Sequence, residues 1–182
     1  MPPVKFDRRR RAGMTTSAER PRRPPAALLR QPACALAFGF GAGLAPRAPG
    51  TFGALLGLPL AAALTAVSLP LAALVLALLG VLGVWCCDIA GRRLGVSDHS
   101  AIVWDEVIGM ALTLLAVPLA WPHYLAGFAL FRAFDILKPW PVGALDRQVG
   151  GGLGVILDDV AAGLLAGATL QVAMQAGMLA AR

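Results

Sequence analysis

The sequence predicts an all-α fold, a multihelical integral membrane bundle with short, partly re-entrant helices, and three observations support this fold class. Hydrophobic residues make up 58 % of the 182-residue chain and charged residues only 14 %, whereas soluble domains contain about 25 % charged residues. The apolar residues are concentrated in long uncharged runs. None of these runs keeps the period of two that a membrane barrel requires. The composition therefore excludes a disordered chain and argues against an ordinary soluble enzyme.

Residues 1–27 are rich in Arg, Pro and Ala and lack apolar periodicity, which predicts a disordered basic tail ahead of one helical domain over residues 28–182. Nine basic and two acidic side chains fall within the first thirty residues, and the rest of the chain is close to neutral. Such a tail contacts anionic lipid headgroups or stays in solvent, and nothing further along the chain supports a nucleic-acid partner. The positive-inside rule places the tail in the cytoplasm.

Three apolar runs follow the tail. Residues 48–87 carry no charged side chain over about twice the length of one membrane crossing, so we predict a helical hairpin that turns around Ser68–Pro70. Residues 107–131 are apolar but contain Pro118–Pro122, which predicts two short helices that enter and return on one side. Residues 160–181 are uncharged and long enough for one span. Because backbone groups in lipid must bond internally, each run is expected to be helical.

All acidic residues of the body lie in the polar segments between these runs. Two adjacent pairs, Asp105–Glu106 and Asp158–Asp159, each precede an apolar run, which predicts that both pairs open a helix. The helix dipole favours acids at an N-terminus, and this simpler role explains one member of each pair. Carboxylates in this number also suit Mg²⁺, which is held by one or two of them together with substrate phosphate and water. The pattern predicts a divalent-cation site if both polar segments lie on one side of the membrane.

Glycine-rich segments flank both acid pairs. Residues 39–53 hold glycines and prolines that disfavour regular helix, and Thr51 is placed to cap the helix that follows. Helix N-termini with free N–H groups bind phosphate, so this segment is a candidate substrate contact. Residues 150–154 either bring the backbone close to a ligand or form a flexible turn.

A further polar cluster follows the second apolar run. Arg132, Asp135 and Lys138 are spaced so that they share one helix face. Pro139 ends the helix, so Lys138 projects where the chain turns, next to Trp140. Two interpretations remain open for these residues, an ordinary surface ion pair and a cation poised for a phosphate.

Three segments resemble the phosphatidylglycerophosphatase A family. They are residues 39–53 with an Ala-Pro-Gly-Thr core, residues 97–110 with Asp-His-Ser and Trp-Asp-Glu, and residues 131–163 with Phe-Asp-Ile-Leu-Lys-Pro-Trp-Pro and Ile-Leu-Asp-Asp. The resemblance implies a multihelical, Mg²⁺-dependent phosphatase of the bacterial inner membrane, with its active site facing the cytoplasm. Its substrate would be the phospholipid phosphatidylglycerophosphate, hydrolysed to phosphatidylglycerol and phosphate.

The matching positions suggest a role for each polar residue. Charge neutralisation and an in-line water are what a phosphomonoester needs for hydrolysis. The expected metal ligands are Asp105, Glu106, Asp158 and Asp159. The expected catalytic residues are Asp98, His99, Asp135 and Lys138, with His99 or Asp98 handling the proton and Lys138 binding a phosphate oxygen. The expected substrate contacts are Thr51, Lys138 and Asp146.

Two other chemistries match parts of the sequence. Cys86 and Arg92 have the spacing of cysteine phosphatases, but Cys86 ends an apolar helix and lacks the loop of N–H groups that such enzymes need. Carboxylates at helix ends could instead form the site of a divalent-cation membrane transporter. That alternative predicts acids at mid-membrane depth, whereas these acids lie in the polar segments.

Overall fold

The structure, a computed structural model, describes residues 26–96 and 98–177, without the side chain of Asp146. The described residues form helices and loops only, as predicted. The α-helices in chain order are α1 (Pro32–Ala37), α2 (Pro49–Leu64), α3 (Leu69–Leu94), α4 (Trp104–Thr113), α5 (Trp121–Leu137), α6 (Val142–Gln148) and α7 (Gly151–Gln175). Short 3₁₀ segments at Ala26–Arg30 and Gly39–Leu44 flank α1. Residues 1–25, most of the predicted basic tail, lie outside the described part.

The predicted first hairpin is formed by α2 and α3, which are joined by residues 65–68. The start of α2 differs from the prediction, because its N-cap is Ala48 and Pro49 occupies the first turn. The fixed φ of proline suits this position. Thr51 therefore lies inside α2 rather than at its cap, and the predicted capping role is wrong.

The second run folds back on itself at residues 114–120, close to the predicted turn, so that α4 and α5 form another hairpin. With ten residues, α4 is only about 15 Å long. A bilayer core is about 30 Å thick, so α4 is too short to cross it. The hairpin brings the start of α4 and the end of α5 to the same end of the bundle, which a shared site requires.

The last helix, α7, begins at Gly151, nine residues before the predicted span. Its glycine-rich start is not a flexible turn but the N-cap and first helical turn, packed against α3. Gly150, Gly151 and Gly154 also line the polar cavity of the candidate site, so the other interpretation, an approach of the backbone to a ligand, stays a prediction. A methyl group at Gly152 would collide with the Val84 carbonyl oxygen. Asp158 and Asp159 consequently lie two turns inside α7, and the prediction that this pair opens a helix is wrong.

Glycines bring α4 into contact with α2 and α7. A methyl group at Gly163 would lie 2.5 Å from the Gly109 carbonyl oxygen, and one at Gly57 would lie 2.6 Å from Met110 Cβ. The Thr113 hydroxyl donates to the Gly109 carbonyl at 2.9 Å and lies 3.4 Å from that of Gly163. Small residues at helix crossings let backbones approach closely, as is common in membrane bundles.

Two described helices, α3 and α7, are long and apolar enough to cross a membrane. Much of α3 is exposed and apolar, including Leu74, Leu78 and Val81, whereas half of the most apolar part of α7 is buried within the bundle. Large exposed apolar surfaces on a single chain indicate an interaction site. The exposed apolar face of α3 is therefore a candidate interaction surface.

Candidate active site

The polar ends of α4, α5, α6 and α7 enclose a cavity of about 370 Å³. Six of its lining residues are acidic and two are basic. The acidic residues are Asp98, Asp105, Glu106, Asp135, Asp158 and Asp159, and the basic ones are Lys138 and Arg147. The cavity therefore collects most of the polar residues that the sequence singled out.

Three carboxylates meet at the base of this cavity. Asp105 and Glu106 extend from the first turn of α4, and Asp159 extends from the middle of α7. One oxygen of each lies within 4.8 Å of an oxygen of the other two. Only 9 % of Asp105 and 3 % of Asp159 are exposed. We call these three residues the acid cluster.

Burial destabilises the charged form of the acid cluster. Asp105 Oδ1, Glu106 Oε2 and Asp159 Oδ2 are buried, and none has a hydrogen-bond partner among the described residues. Burial raises the pKa of Asp105 well above its usual value, and Glu106 and Asp159 add to the shift. Burial is also the main cause that raises the pKa of Glu106 to about 7. Because converging oxygen donors of this kind are the ligands that Mg²⁺ prefers, the residues present fit a divalent cation.

Asp158 takes a different direction from its neighbour. Its Oδ2 accepts a hydrogen bond from Lys138 Nζ at 2.7 Å, and Lys138 follows the last residue of α5. Consecutive residues on a helix point about 100° apart, so Asp158 and Asp159 face different groups. The Lys138 backbone is left-handed, with φ 44°, a conformation that non-glycine residues rarely adopt and that is concentrated at functional sites.

A buried arginine, Arg132, lies beside the acid cluster. Arg132 Nη1 pairs with Asp135 Oδ2, and both side chains are more than four-fifths buried. The surface-pair interpretation is therefore wrong. A methyl group at Gly50, at the start of α2, would collide with Glu106 Oε1 and lie 3.2 Å from Arg132 Nη1. The missing side chain of Gly50 thus lets Glu106 and Arg132 approach each other.

The remaining predicted site residues differ in whether they line the cavity. Asp98 is exposed and lines the cavity. His99 is 9 % exposed, and its Nδ1 accepts a hydrogen bond from the N–H of Ala101 at 3.1 Å. The imidazole ring therefore stabilises the loop in which it lies. Thr51, on α2, is not among the residues that line the described cavity. The side chain of Asp146 lies outside the described part of the chain.

Arg147, which was not among the predicted site residues, also lines the cavity from the last turn of α6. The sequence feature that could have identified it is its position as a basic residue in the polar segment between Lys138 and Asp158. Across the described side chains, no carboxylate forms an ion pair with Arg147.

The cysteine-phosphatase interpretation finds no support in the geometry. Cys86 and Arg92 both lie within α3, where backbone N–H groups bond along the helix instead of surrounding an anion. Cys86 is buried, and Arg92 pairs with Asp88 at 2.6 Å.

A family model and two similar proteins share one description. A family model described as phosphatidylglycerophosphatase A matches residues 35–174, which include every residue of the cavity. A phosphatidylglycerophosphatase A of Escherichia coli is 44 % identical over 136 residues, covering 74 % of this chain and 79 % of that protein. That of Haemophilus influenzae is 44 % identical over 133 residues, covering 72 % and 82 %. A Bacteroides thetaiotaomicron protein, provisionally named a phosphatidylinositol-3-phosphatase, is 44 % identical over 135 residues, covering 69 % and 83 %. No solved structure matches the chain.

Proposed function

We propose a metal-assisted mechanism for this chain, which belongs to the phosphatidylglycerophosphatase A family and is a phosphatase that hydrolyses phosphatidylglycerophosphate. The observation that carries the mechanism is the acid cluster, whose unpartnered oxygens share one polar cavity with Lys138. The transporter alternative receives no support from the family comparisons.

The acid cluster, Asp105, Glu106 and Asp159, would hold the cation, with Mg²⁺ as the proposed ion. When bound, the ion supplies neutralisation of charge on the phosphate oxygens and lowers the pKa of a water molecule. The protein places three carboxylates from two helices around one point, which the close crossing of α4 and α7 makes possible.

Lys138 is proposed to bind an oxygen of the scissile phosphate. Its ammonium lies at the wall of the cavity, and the hydrogen bond to Asp158 fixes its direction. An ammonium that is held in place before the reaction stabilises developing charge without a reorganisation cost. Asp158, predicted from sequence as a metal ligand, is better suited to orient Lys138.

Asp98 is proposed to accept the proton of the attacking water. Its carboxylate is exposed at the cavity wall, within the space where a water molecule would enter. His99 was the other candidate, but its Nδ1 is already used by the Ala101 N–H. Asp135 also lines the cavity, and its pairing with Arg132 suits it to support the acid cluster rather than to take up a proton. Thr51 and Asp146 remain predicted substrate contacts.

The proposed location is the bacterial inner membrane, with the cavity facing the cytoplasm. The long apolar helices α3 and α7 support a membrane protein. The excess of basic residues before residue 30 supports a cytoplasmic N-terminus by the positive-inside rule. Trp140, which is 84 % exposed beside Lys138, is typical of a side chain at the membrane interface.

Phosphate release from phosphatidylglycerophosphate tests the mechanism, using the full chain in detergent with Mg²⁺ or with EDTA. We expect release that requires Mg²⁺ and returns when Mg²⁺ is added in excess over EDTA. Release that persists in EDTA would contradict the metal-assisted mechanism. A folded sample that releases no phosphate under either condition would contradict the proposal that this chain acts on the lipid unaided.

A further inference from the structure

The substrate under the proposed function carries two phosphate groups, and the cavity must accommodate both. The terminal group is a phosphomonoester, which is cleaved, and the other is a phosphodiester that joins the headgroup to the diacylglycerol. The cavity walls are rich in carboxylates, so a second anion entering it would be repelled unless a positive charge stood near. Lys138 is held by Asp158 beside the acid cluster and, under the proposed function, binds the first phosphate.

Arg147 provides a positive charge in the right part of the cavity. It extends from the last turn of α6 and is exposed at the wall, and no described carboxylate pairs with it. A methyl group at Gly143 would lie 3.3 Å from Arg147 Nη1, 3.6 Å from Lys138 Cβ and 2.6 Å from the Lys138 carbonyl oxygen. Arg147 and Lys138 therefore both lie against the same glycine, whose missing side chain lets the two residues come close to each other at the cavity wall.

We infer that Arg147 forms a second anion subsite that holds the phosphodiester of the substrate while Lys138 and the acid cluster engage the phosphomonoester. An arginine guanidinium binds phosphate oxygens through two parallel hydrogen bonds, which gives orientation as well as affinity. The subsite makes Arg147 a specificity-determining residue, because a lipid with only a phosphomonoester cannot use it. This inference rests on the proposed function for the identity of the two-phosphate substrate.

Exposed apolar residues near Lys138 support placing the phosphodiester between the acyl chains and the phosphomonoester. Ile136, Leu137 and Trp140, next to Lys138 in the chain, are each more than two-thirds exposed. In a lipid substrate the phosphodiester lies between the acyl chains and the headgroup phosphate. An exposed apolar stretch beside two cations is suited to hold that junction at the membrane surface.

The first test compares hydrolysis of phosphatidylglycerophosphate with that of phosphatidic acid, which has a phosphomonoester and no phosphodiester. The variants are Arg147→Gln, Arg147→Lys and, as a matched control, Arg92→Gln, an exposed arginine outside the cavity. For Arg147→Gln we expect KM for phosphatidylglycerophosphate to rise about tenfold or more, with kcat within about threefold. Arg147→Lys should recover part of the loss, and Arg92→Gln should match the wild type. An equal loss on both lipids would overturn the specificity role.

The second test measures binding without turnover. Isothermal titration calorimetry with dioctanoyl-phosphatidylglycerol in micelles probes the phosphodiester alone, with dioctanoylglycerol as the ligand that lacks it. We expect Arg147→Gln to weaken phosphatidylglycerol binding about tenfold and to leave dioctanoylglycerol unaffected. Unchanged phosphatidylglycerol binding in Arg147→Gln would overturn the subsite. If the wild type failed to hydrolyse phosphatidylglycerophosphate while this binding still depended on Arg147, the proposed function would fail and the subsite would stand.

Discussion

Two adjacent acid pairs look alike in the sequence and take different positions in the structure. Asp105–Glu106 lies in the first turn of α4, and both carboxylates reach the acid cluster. Asp158–Asp159 lies within α7, where Asp159 joins the acid cluster and Asp158 receives the hydrogen bond of Lys138. The two members of each pair point about 100° apart on their helices. The difference teaches that the neighbouring elements decide whether both members reach one site, because Lys138 binds Asp158 while Asp159 meets the first pair.

The sharpest test of this comparison is to substitute each member of the second pair. Asp159→Asn removes a charge from the acid cluster, and we expect kcat for phosphate release to fall by about a thousandfold, because a bound cation contributes several kcal/mol to the transition state. Asp158→Asn leaves the acid cluster intact and should cost about ten- to a hundredfold. Steady-state kinetics at saturating Mg²⁺, with a thermal melt of each variant in detergent, would measure both. Equal losses in folded variants would show that the pair acts as a unit.

The partnership of Asp158 with Lys138 gives the next largest effect. We expect Lys138→Gln to lower kcat/KM about a hundredfold, since a charged hydrogen bond to the phosphate is lost. If Asp158 acts by orienting this lysine, the double variant with Asp158→Asn should be no slower than Lys138→Gln alone. A double-mutant cycle on kcat/KM measures the coupling. Fully additive losses would assign Asp158 a role independent of Lys138.

A packing variant tests whether the two pairs need the close crossing of α4 and α7. In Gly163→Ala the new methyl group would lie 2.5 Å from the Gly109 carbonyl oxygen, so we expect a destabilisation of about 1–3 kcal/mol and lower activity. Gly80→Ala is the matched control, because its methyl group would lie 3.9 Å from Ile108. Thermal melts in detergent report stability, and phosphate release reports activity. A control as damaging as Gly163→Ala would mean that any helical glycine is equally sensitive.

The smallest effect is expected at an acid outside both pairs. Asp88 on α3 pairs with Arg92 in an exposed contact, and exposed ion pairs contribute about 0.2–1 kcal/mol. Phosphate release by Asp88→Asn should therefore remain within about twofold of the wild type. A large loss of turnover in a normally folded variant would show that Asp88 on α3 takes part in catalysis. The two acid pairs would then no longer be distinguished from the other acids by their effect on turnover.

The sequence predicted most of the fold, because its signals are local. Uncharged runs and prolines indicated both hairpins, and the observed turns at residues 65–68 and 114–120 lie at or near the predicted ones. The start of α7 was missed because Gly150–Gly154 has poor intrinsic helix propensity. Its helical state depends on contacts with α3, such as that of Gly152 with Val84, which no local pattern reveals.

The sequence singled out residues that share one cavity, but it did not predict how they are arranged, and their roles stay predictions. Asp105, Glu106, Asp159 and Lys138 line one cavity, as the shared-site hypothesis required. Asp158 pairs with Lys138, which lies 20 residues away in the sequence, and no local pattern reveals such a contact. Arg132 was identified on a helix face, but its burial beside Glu106 depends on the missing side chain of Gly50 in a distant helix.

The crossing of α4 and α7 also limits which substitutions evolution can accept. At Gly109 and Gly163 any side chain would force apart the helices that carry Asp105 and Asp159. Selection for phosphatase activity would therefore preserve these glycines about as strictly as the carboxylates, although they contact no phosphate. A residue of α4 or α7 can therefore be invariant for either of two reasons, because it binds a ligand or because it sets the distance between the helices. The contacts that the residue makes show which reason applies.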